Sequence, residues 1–297
     1  MARKPKMNEE GRRAYGDRMR AELEAVMNRA YGAMVTSEDF WAEVMRTAAV
    51  LPDRSPINCV AIAAQRPGAT RVLATGDWRK GGRYPVKGST AIRIWTPIKR
   101  RSGASPDAPE PARDAAPQAA PEAPAEGVRV TGFKAAPVFD LSQTGGDDYR
   151  PPAPAHLPAS VVRDLLIAQY RRAYGADPES AGPLYYPGES SDVAARILLR
   201  DHARRRVSEA EAEVPGQHDA EVASAAHVAA RMLGIAPDRA VMPPLAGIIA
   251  DTKNPPVHGS VVRVVEAARS IVDAVTTAAD GLFGPTLERV GGVEPGA

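Results

Sequence analysis

Apolar positions in the first third of the chain recur at helical spacing. Tyr15, Met19, Leu23, Val26 and Met27 fall three and four apart and share one helix face. Asn8, Glu9 and Glu10 suit its start, because acids favour the positive end of the helix dipole. Gly32 is the expected stop. Thr36-Ser37-Glu38-Asp39 opens a second helix, with Phe40, Trp41, Val44, Met45 and Ala48 on one side, and Leu51-Pro52-Asp53-Arg54 breaks it. A third helix starts at Ser55-Pro56 and runs to Gln65, where Pro67-Gly68 ends it. The period then shortens. Residues 70–75 and 91–96 read as strands, the second alternating through Ile92-Arg93-Ile94-Trp95. Between them the paired glycines Gly81 and Gly82 and Pro85 predict a tight, exposed turn. Residues 128–131 and 136–141 are further strands that can pair back on the 91–96 strand.

Beyond residue 156 the pattern is almost wholly helical. Val161, Val162, Leu165, Leu166, Gln169 and Tyr170 form the inward side of a helix opened by Pro158 and closed by Gly175. Ser190-Ser191-Asp192 caps another through Val207. Further helices are expected at 217–233, 245–251 and 260–279, with residues 182–188 a turn or short strand. The fold class is therefore α+β: N-terminal helices on a small, mostly antiparallel sheet, followed by a mainly helical domain.

Two composition shifts set the boundaries. Residues 102–127 hold nine Ala and six Pro in 26 positions, with no apolar periodicity, and read as a disordered, partly polyproline-like excursion. Five acids against one base suggest that it competes with a polyanion for a basic face. Residues 147–156 form a proline-rich linker. The expected organisation is a tail at 1–7, a first domain at 8–146 interrupted at 102–127, a helical domain at 157–280 and a loose tail at 281–297.

Charge changes the picture more than composition does. Residues 66–101 carry ten bases and one acid, Asp77, in a chain of net charge +2, so everything else is acidic on balance. Such polarity gives a strong local field on a nearly neutral protein. Trp78, Tyr84 and Trp95 lie inside the same block. Cations interleaved with aromatic faces suit single-stranded nucleic acid, where phosphates need charge and unpaired bases need rings. The plainer reading of the charges is a solvated hairpin tip. Trp78 fits base stacking and a core anchor equally, and Trp95, next to Ile94, reads as core. Cys59 is single and sits in an apolar run, which excludes an internal disulfide framework and a cysteine-rich zinc site. No apolar run approaches the roughly 20 residues of a membrane span, and the N-terminus lacks a secretory signal. The expectation is a soluble cytoplasmic protein with no membrane partner and no cofactor.

Asn58, Gln65, Pro67, Ala69, Thr70, Trp78, Gly82, Arg83, Val86, Lys87, Gly88, Ile92, Ile94 and Pro97 follow in order, and Phe133-Lys134 and Val138-Phe139-Asp140-Leu141-Ser142-Gln143-Thr144 come after the interruption. This series resembles the N-terminal domain of ArdC-type antirestriction proteins, over roughly residues 10 to 148. The resemblance implies binding of single-stranded DNA and protection of incoming plasmid or phage DNA from restriction. Arg79, Lys80, Arg83 and Lys87 would then lie on phosphates, and Trp78 or Tyr84 against bases. Asn58, Gln65, Gln143 and Thr144 stand at motif positions and either bond to the strand or fix turns. Arg66, Arg71, Arg93 and Lys134 complete the candidate set.

In many proteins of that family the C-terminal domain resembles a zinc metallopeptidase. That chemistry needs two His one helical turn apart, a Glu beside the first and a third, acidic ligand. The matching segment here puts Arg200, Asp201 and Arg204 where His, Glu and His would stand. Glu221 falls on the third-ligand position and His227 replaces a Tyr. His202, His218 and His227 do not recreate the spacing and read as packing or surface histidines. The resemblance thus implies a degenerate, catalytically dead metallopeptidase-like domain with no metal. Two other classes stand beside DNA binding: an active zinc protease acting on DNA-associated proteins, and an interaction module that blocks a nuclease.

Overall fold

A computed structural model of the chain describes residues 8–101, 128–149, 157–175, 188–208, 211–212, 214–236 and 256–283. The expected 102–127 excursion, the 182–187 turn, the 245–251 helix and the tails at 1–7 and 284–297 lie outside the described residues. The chain forms two compact units. The first comprises the described residues of 1–30 and 57–149, the second those of 31–56 and 150–297. The sequence pattern alone keeps residues 31–56 with the first domain; their long-range contacts group them with the second unit.

Helix α1 spans Glu9–Thr36 and runs through Gly32, the stop expected from the sequence. No Cβ would meet anything at Gly32, and Ser37 provides the break by capping α2 (Glu38–Val50), its hydroxyl accepting from the Phe40 N–H at 3.2 Å.

In the first unit, α3 (Pro56–Gln65) buries every side chain from Asn58 to Ala63. Strand β1 is reduced to Val72–Leu73. Helix α4 (Thr75–Lys80) occupies the start of the expected turn, followed by β2 (Arg83–Pro85). Strands β3 (Ile92–Arg101) and β4 (Val128–Asp140) form a long antiparallel hairpin, a 3₁₀ turn follows at Leu141–Gln143, and β5 is Thr144–Gly146. The three-stranded sheet has the order β1-β4-β3, and β2 pairs separately with β5. Antiparallel pairing holds throughout, and the architecture is α+β. Ile92 and Ile94 of β3 and Val138 of β4 face the core.

Strand β3 is a sheet edge, and side chains of α3 close it. Asn58 accepts from the Trp95 N–H at 2.8 Å and donates to its carbonyl at 2.9 Å. Gln65, two turns on, does the same for Arg93, at 2.9 and 2.8 Å. Each amide offers the donor–acceptor pair that a further strand would have offered, so edge groups near the core are not left unpaired.

The second unit is helical: α5 (Ala159–Tyr174), α6 (Ser191–Arg206), α7 (Gln217–Met232) and α8 (Pro256–Phe283), with α2 against α7. Gly175, at φ 65°, closes α5 in the left-handed conformation, and Ser190 caps α6, as the sequence predicts. Trp41 of α2 is fully buried and donates to Ser224 of α7 at 3.1 Å.

Candidate nucleic-acid interface

The part of the basic block from Arg66 to Lys87 folds around one small corner of the first unit, set by Asp140. One carboxylate oxygen accepts from the N–H groups of Thr70 and Arg71 at 2.8 and 3.1 Å, and the other from Ser142 N–H at 2.9 Å and the Ser142 hydroxyl. Burial would raise its pKa, but these hydrogen bonds outweigh burial and hold the carboxyl below the usual range. Gln143 completes a capping box by accepting from the Asp140 N–H at 2.9 Å, and its amide donates to the Thr90 carbonyl at 2.7 Å. The turn so fixed carries β5, which pairs Tyr84 with Gly145 and Pro85 with Thr144.

Several predicted contact residues are spent on this architecture. Trp78 is 1% exposed, donates to the Phe139 carbonyl at 2.9 Å and meets the edge of Tyr149 at 5.3 Å, so it is a core anchor and offers no face to a base. Arg83 donates to the Thr144 hydroxyl at 3.0 Å, the Thr144 carbonyl at 2.8 Å and the Asp147 carbonyl. Its planar fork ties β2 to β5, leaving little of it for phosphate. Asn58, Gln65, Gln143 and Thr144 bond to backbone carbonyls or N–H groups, and thus fix strands and turns. Of the two roles the sequence leaves open for Trp78, Asn58, Gln65, Gln143 and Thr144, the structure places these side chains in the core-anchoring and turn-fixing one, and Arg83 is likewise engaged by backbone. Giving up these bonds to a ligand would leave the backbone groups unpaired.

The remaining candidates divide by exposure. The side chains of Arg79 and Lys87 are exposed, with no hydrogen bond or ion pair among the described residues. Lys80 meets Asp77 at 3.1 Å with its side chain 66% exposed, a pair worth little in water. Tyr84 is 55% exposed and Val86 53%. Arg66 is exposed and reaches Ser142 at 2.9 Å, beside the same turn. Arg71 is half-buried, its Nε enclosed without a partner among the described residues. Arg93 and Lys134 lie apart from the corner. Arg93 pairs with Glu22 at 2.7 Å, and Lys134 stands opposite Thr96 on the face that carries Val138. The fold thus places Arg66 against the Asp140 turn, and Arg79, Lys80, Tyr84 and Lys87 on α4, β2 and the residues that follow, where β2 pairs with the strand after that turn.

Sequence reasoning misses Asp140 as the organiser, although Asp140 followed three positions later by Gln143 is a legible capping pattern. It also misses Asp147 and Tyr149, whose roles come from contacts across 64 and 71 positions.

In the second unit the donor set does not fit a zinc ion. Arg200 is exposed, Arg204 pairs with Asp219 at 3.0 Å, and Asp201 holds Arg205 at 2.7 Å. Glu221 is fully buried and accepts from Arg263 at 2.6 and 2.8 Å, Ser260 at 2.6 Å and Gln217 at 2.9 Å. A guanidinium therefore supplies the positive charge beside this carboxylate. His202 is buried, and burial, reinforced by Arg206, lowers its pKa against the opposing bond to the Leu166 carbonyl. Among the described residues no three His, Cys, Asp or Glu side chains converge as metal ligands would. No helix among them is long and apolar enough to cross a membrane.

No protein-family model matches the chain, and no curated protein matches it. Among solved structures, the chain is similar to the crystal structure of the antirestriction ArdC protein from the R388 plasmid, in its metal-free form, at 14% identity and a TM-score of 0.44, over 86% of this chain and 98% of that one.

Proposed function

We propose that the first unit binds single-stranded DNA with little regard to sequence, in the protection of plasmid or phage DNA against restriction. The observation that carries this reading is the corner itself. The side chains of Arg79, in α4, and Lys87, just after β2, stand exposed on either side of Tyr84 in the chain and carry no partner among the described residues, next to the β2–β5 pair that Arg83 ties together and the turn that Asp140 fixes. Unspent cations on a fixed backbone attract phosphates, and an exposed ring offers a face to an unpaired base. The resemblance of the 58–97 and 133–144 motifs to the ArdC-type domain supports the same substrate. For the second unit we propose a non-catalytic role, because Arg200 and Arg204 would repel a metal and Glu221 already holds Arg263.

The test is fluorescence anisotropy of labelled single-stranded and duplex oligonucleotides across a salt series. Single strands should bind more tightly than duplex. Arg79→Glu and Lys87→Glu should each weaken binding severalfold and flatten the salt slope by about 0.7 for each phosphate no longer neutralised. Arg83→Glu is a poor probe, since it would also unfasten β5. A chain with no affinity for oligonucleotides in dilute buffer, or equal affinity after both charge reversals, would refute this reading. Stoichiometric zinc with chelator-sensitive proteolysis would overturn the non-catalytic role.

A further inference from the structure

The outward face of the β3–β4 hairpin is a second surface of the first unit, separate from the corner. Directly opposed residues share a face in an antiparallel pair. The register opposes Arg93 to Pro137, Trp95 to Ala135, Pro97 to Phe133 and Lys99 to Val130. The faces alternate along β3, so Arg93, Trp95, Pro97 and Lys99 all point away from the side where Ile92 and Ile94 are buried. The register shifts between Ile98 and Lys99, leaving Thr131 as an extra residue on β4. That bulge brings Phe133 and Val130, three positions apart, onto the same outward face.

The face is aromatic, covered at its Arg93 end by α1, where Glu22 pairs with Arg93 at 2.7 Å, and open at its Phe133 end. Phe133 is 58% exposed and Val130 43%. Trp95 is part-exposed, and the Arg20 guanidinium lies 5.9 Å from its ring centre. Phe133 and Trp95 are diagonal neighbours on paired strands, about 7–8 Å apart by the geometry of such pairs. Lys99 is exposed at the outer end, with no partner among the described residues. The scaffold is stiff here: the backbone groups of Trp95 and Arg93 are clamped by Asn58 and Gln65. Arg20 and Arg93 are paired with Glu24 and Glu22, so Lys99 is the cation left beside the open end of the face, and a cation next to exposed rings favours a polyanion with unpaired bases over an apolar protein surface.

We propose that this face is a base-stacking platform for single-stranded DNA, with Phe133 and the open part of Trp95 each taking one base and Lys99 meeting a flanking phosphate. The proposal rests on the DNA-binding reading above and adds to the cationic corner the surface that reads bases. The chain supplies its own probe. Of its three tryptophans, Trp41 and Trp78 are 0% and 1% exposed, so quenching of intrinsic fluorescence by an oligonucleotide must come from Trp95.

The experiment titrates the full-length protein with oligothymidylate and with an abasic oligonucleotide of equal length, reading tryptophan fluorescence and anisotropy together. Oligothymidylate should quench and the abasic strand should not. Phe133→Ala, at a solvent-exposed site, should weaken oligothymidylate binding about tenfold and leave abasic binding unchanged. Trp95→Phe should abolish quenching and retain most of the affinity. Binding that depends on Arg79 and Lys87 but shows no quenching, with Phe133→Ala like wild type, overturns the platform and leaves the DNA-binding reading intact. Absence of binding by the wild type removes both. Equal loss of abasic and oligothymidylate binding in Phe133→Ala, with a lowered Tm, assigns Phe133 a structural role and also overturns the platform.

Discussion

Asn58 and Gln65 show how a residue type can be legible while its partner is not. By sequence both either contact DNA or hold local structure, and in the structure both complete the edge of β3. Removing either amide strands one backbone N–H and one carbonyl at a part-buried edge. Asn58→Ala and Gln65→Ala should each lower the stability of the first unit by about 1–3 kcal/mol, measured by urea unfolding. Trp78 makes the same point for an aromatic: its neighbours in sequence are charged, yet its ring is enclosed. Histidine gives a prediction with a sign. His202, His227 and His258 all have pKa values lowered by burial, so the folded protein holds them neutral. The unfolded chain takes up these protons at about pH 6.5. Stability should therefore be full above that pH and fall below it, by at most about 1.4 kcal/mol per pH unit per group, until the lower folded-state values are reached. A Tm series from pH 7.5 to 5.5 checks this, and His202→Gln should flatten it.

At the scale of elements, caps and periods are readable. Ser37, Ser190 and Gly175 mark helix ends where their chemistry says they should, because each acts within one turn of itself. Helix α4 is not readable: it is six residues long, has no side-chain N-cap bond and follows a two-residue strand. The β2–β5 pair depends on close backbone approach at Gly146, whose φ is 128° and whose added Cβ would strike the Gly82 carbonyl oxygen. Gly146→Ala should separate these strands and cost about 1–3 kcal/mol, with anisotropy showing weaker oligonucleotide binding as the corner loosens. In the helical unit, Arg263→Leu leaves a fully buried Glu221 without its cation and should cost about 3–5 kcal/mol. The double variant Glu221→Leu, Arg263→Met should be much closer to wild type in thermal unfolding, since no buried charge remains.

For the whole molecule, net charge is a poor guide to binding. A formal +2 hides a block of 36 residues that is far more basic than the rest. Oligonucleotide affinity should therefore fall steeply between about 50 and 200 mM salt, with a log–log slope of about −2 to −3.5 if three to five phosphates are neutralised. A slope near zero in anisotropy titrations would show that the block's cations do not meet phosphate. The sequence by itself determined most of the longer helices, the caps at Ser37, Gly175 and Ser190, the antiparallel β3 and β4 strands, the α+β class and the concentration of positive charge, because each depends on neighbours a few positions away; it did not mark the end of α1 or reveal α4. Tertiary structure alone decided which ring is enclosed and which faces out, which polar side chains are spent on backbone, and which cations remain unpaired. The physical reason is that these properties belong to pairs such as Trp78 with Phe139, Asn58 with Trp95 and Arg83 with Thr144, 61, 37 and 61 positions apart. No local period records which residue will arrive across such a distance to cover a face or accept a proton.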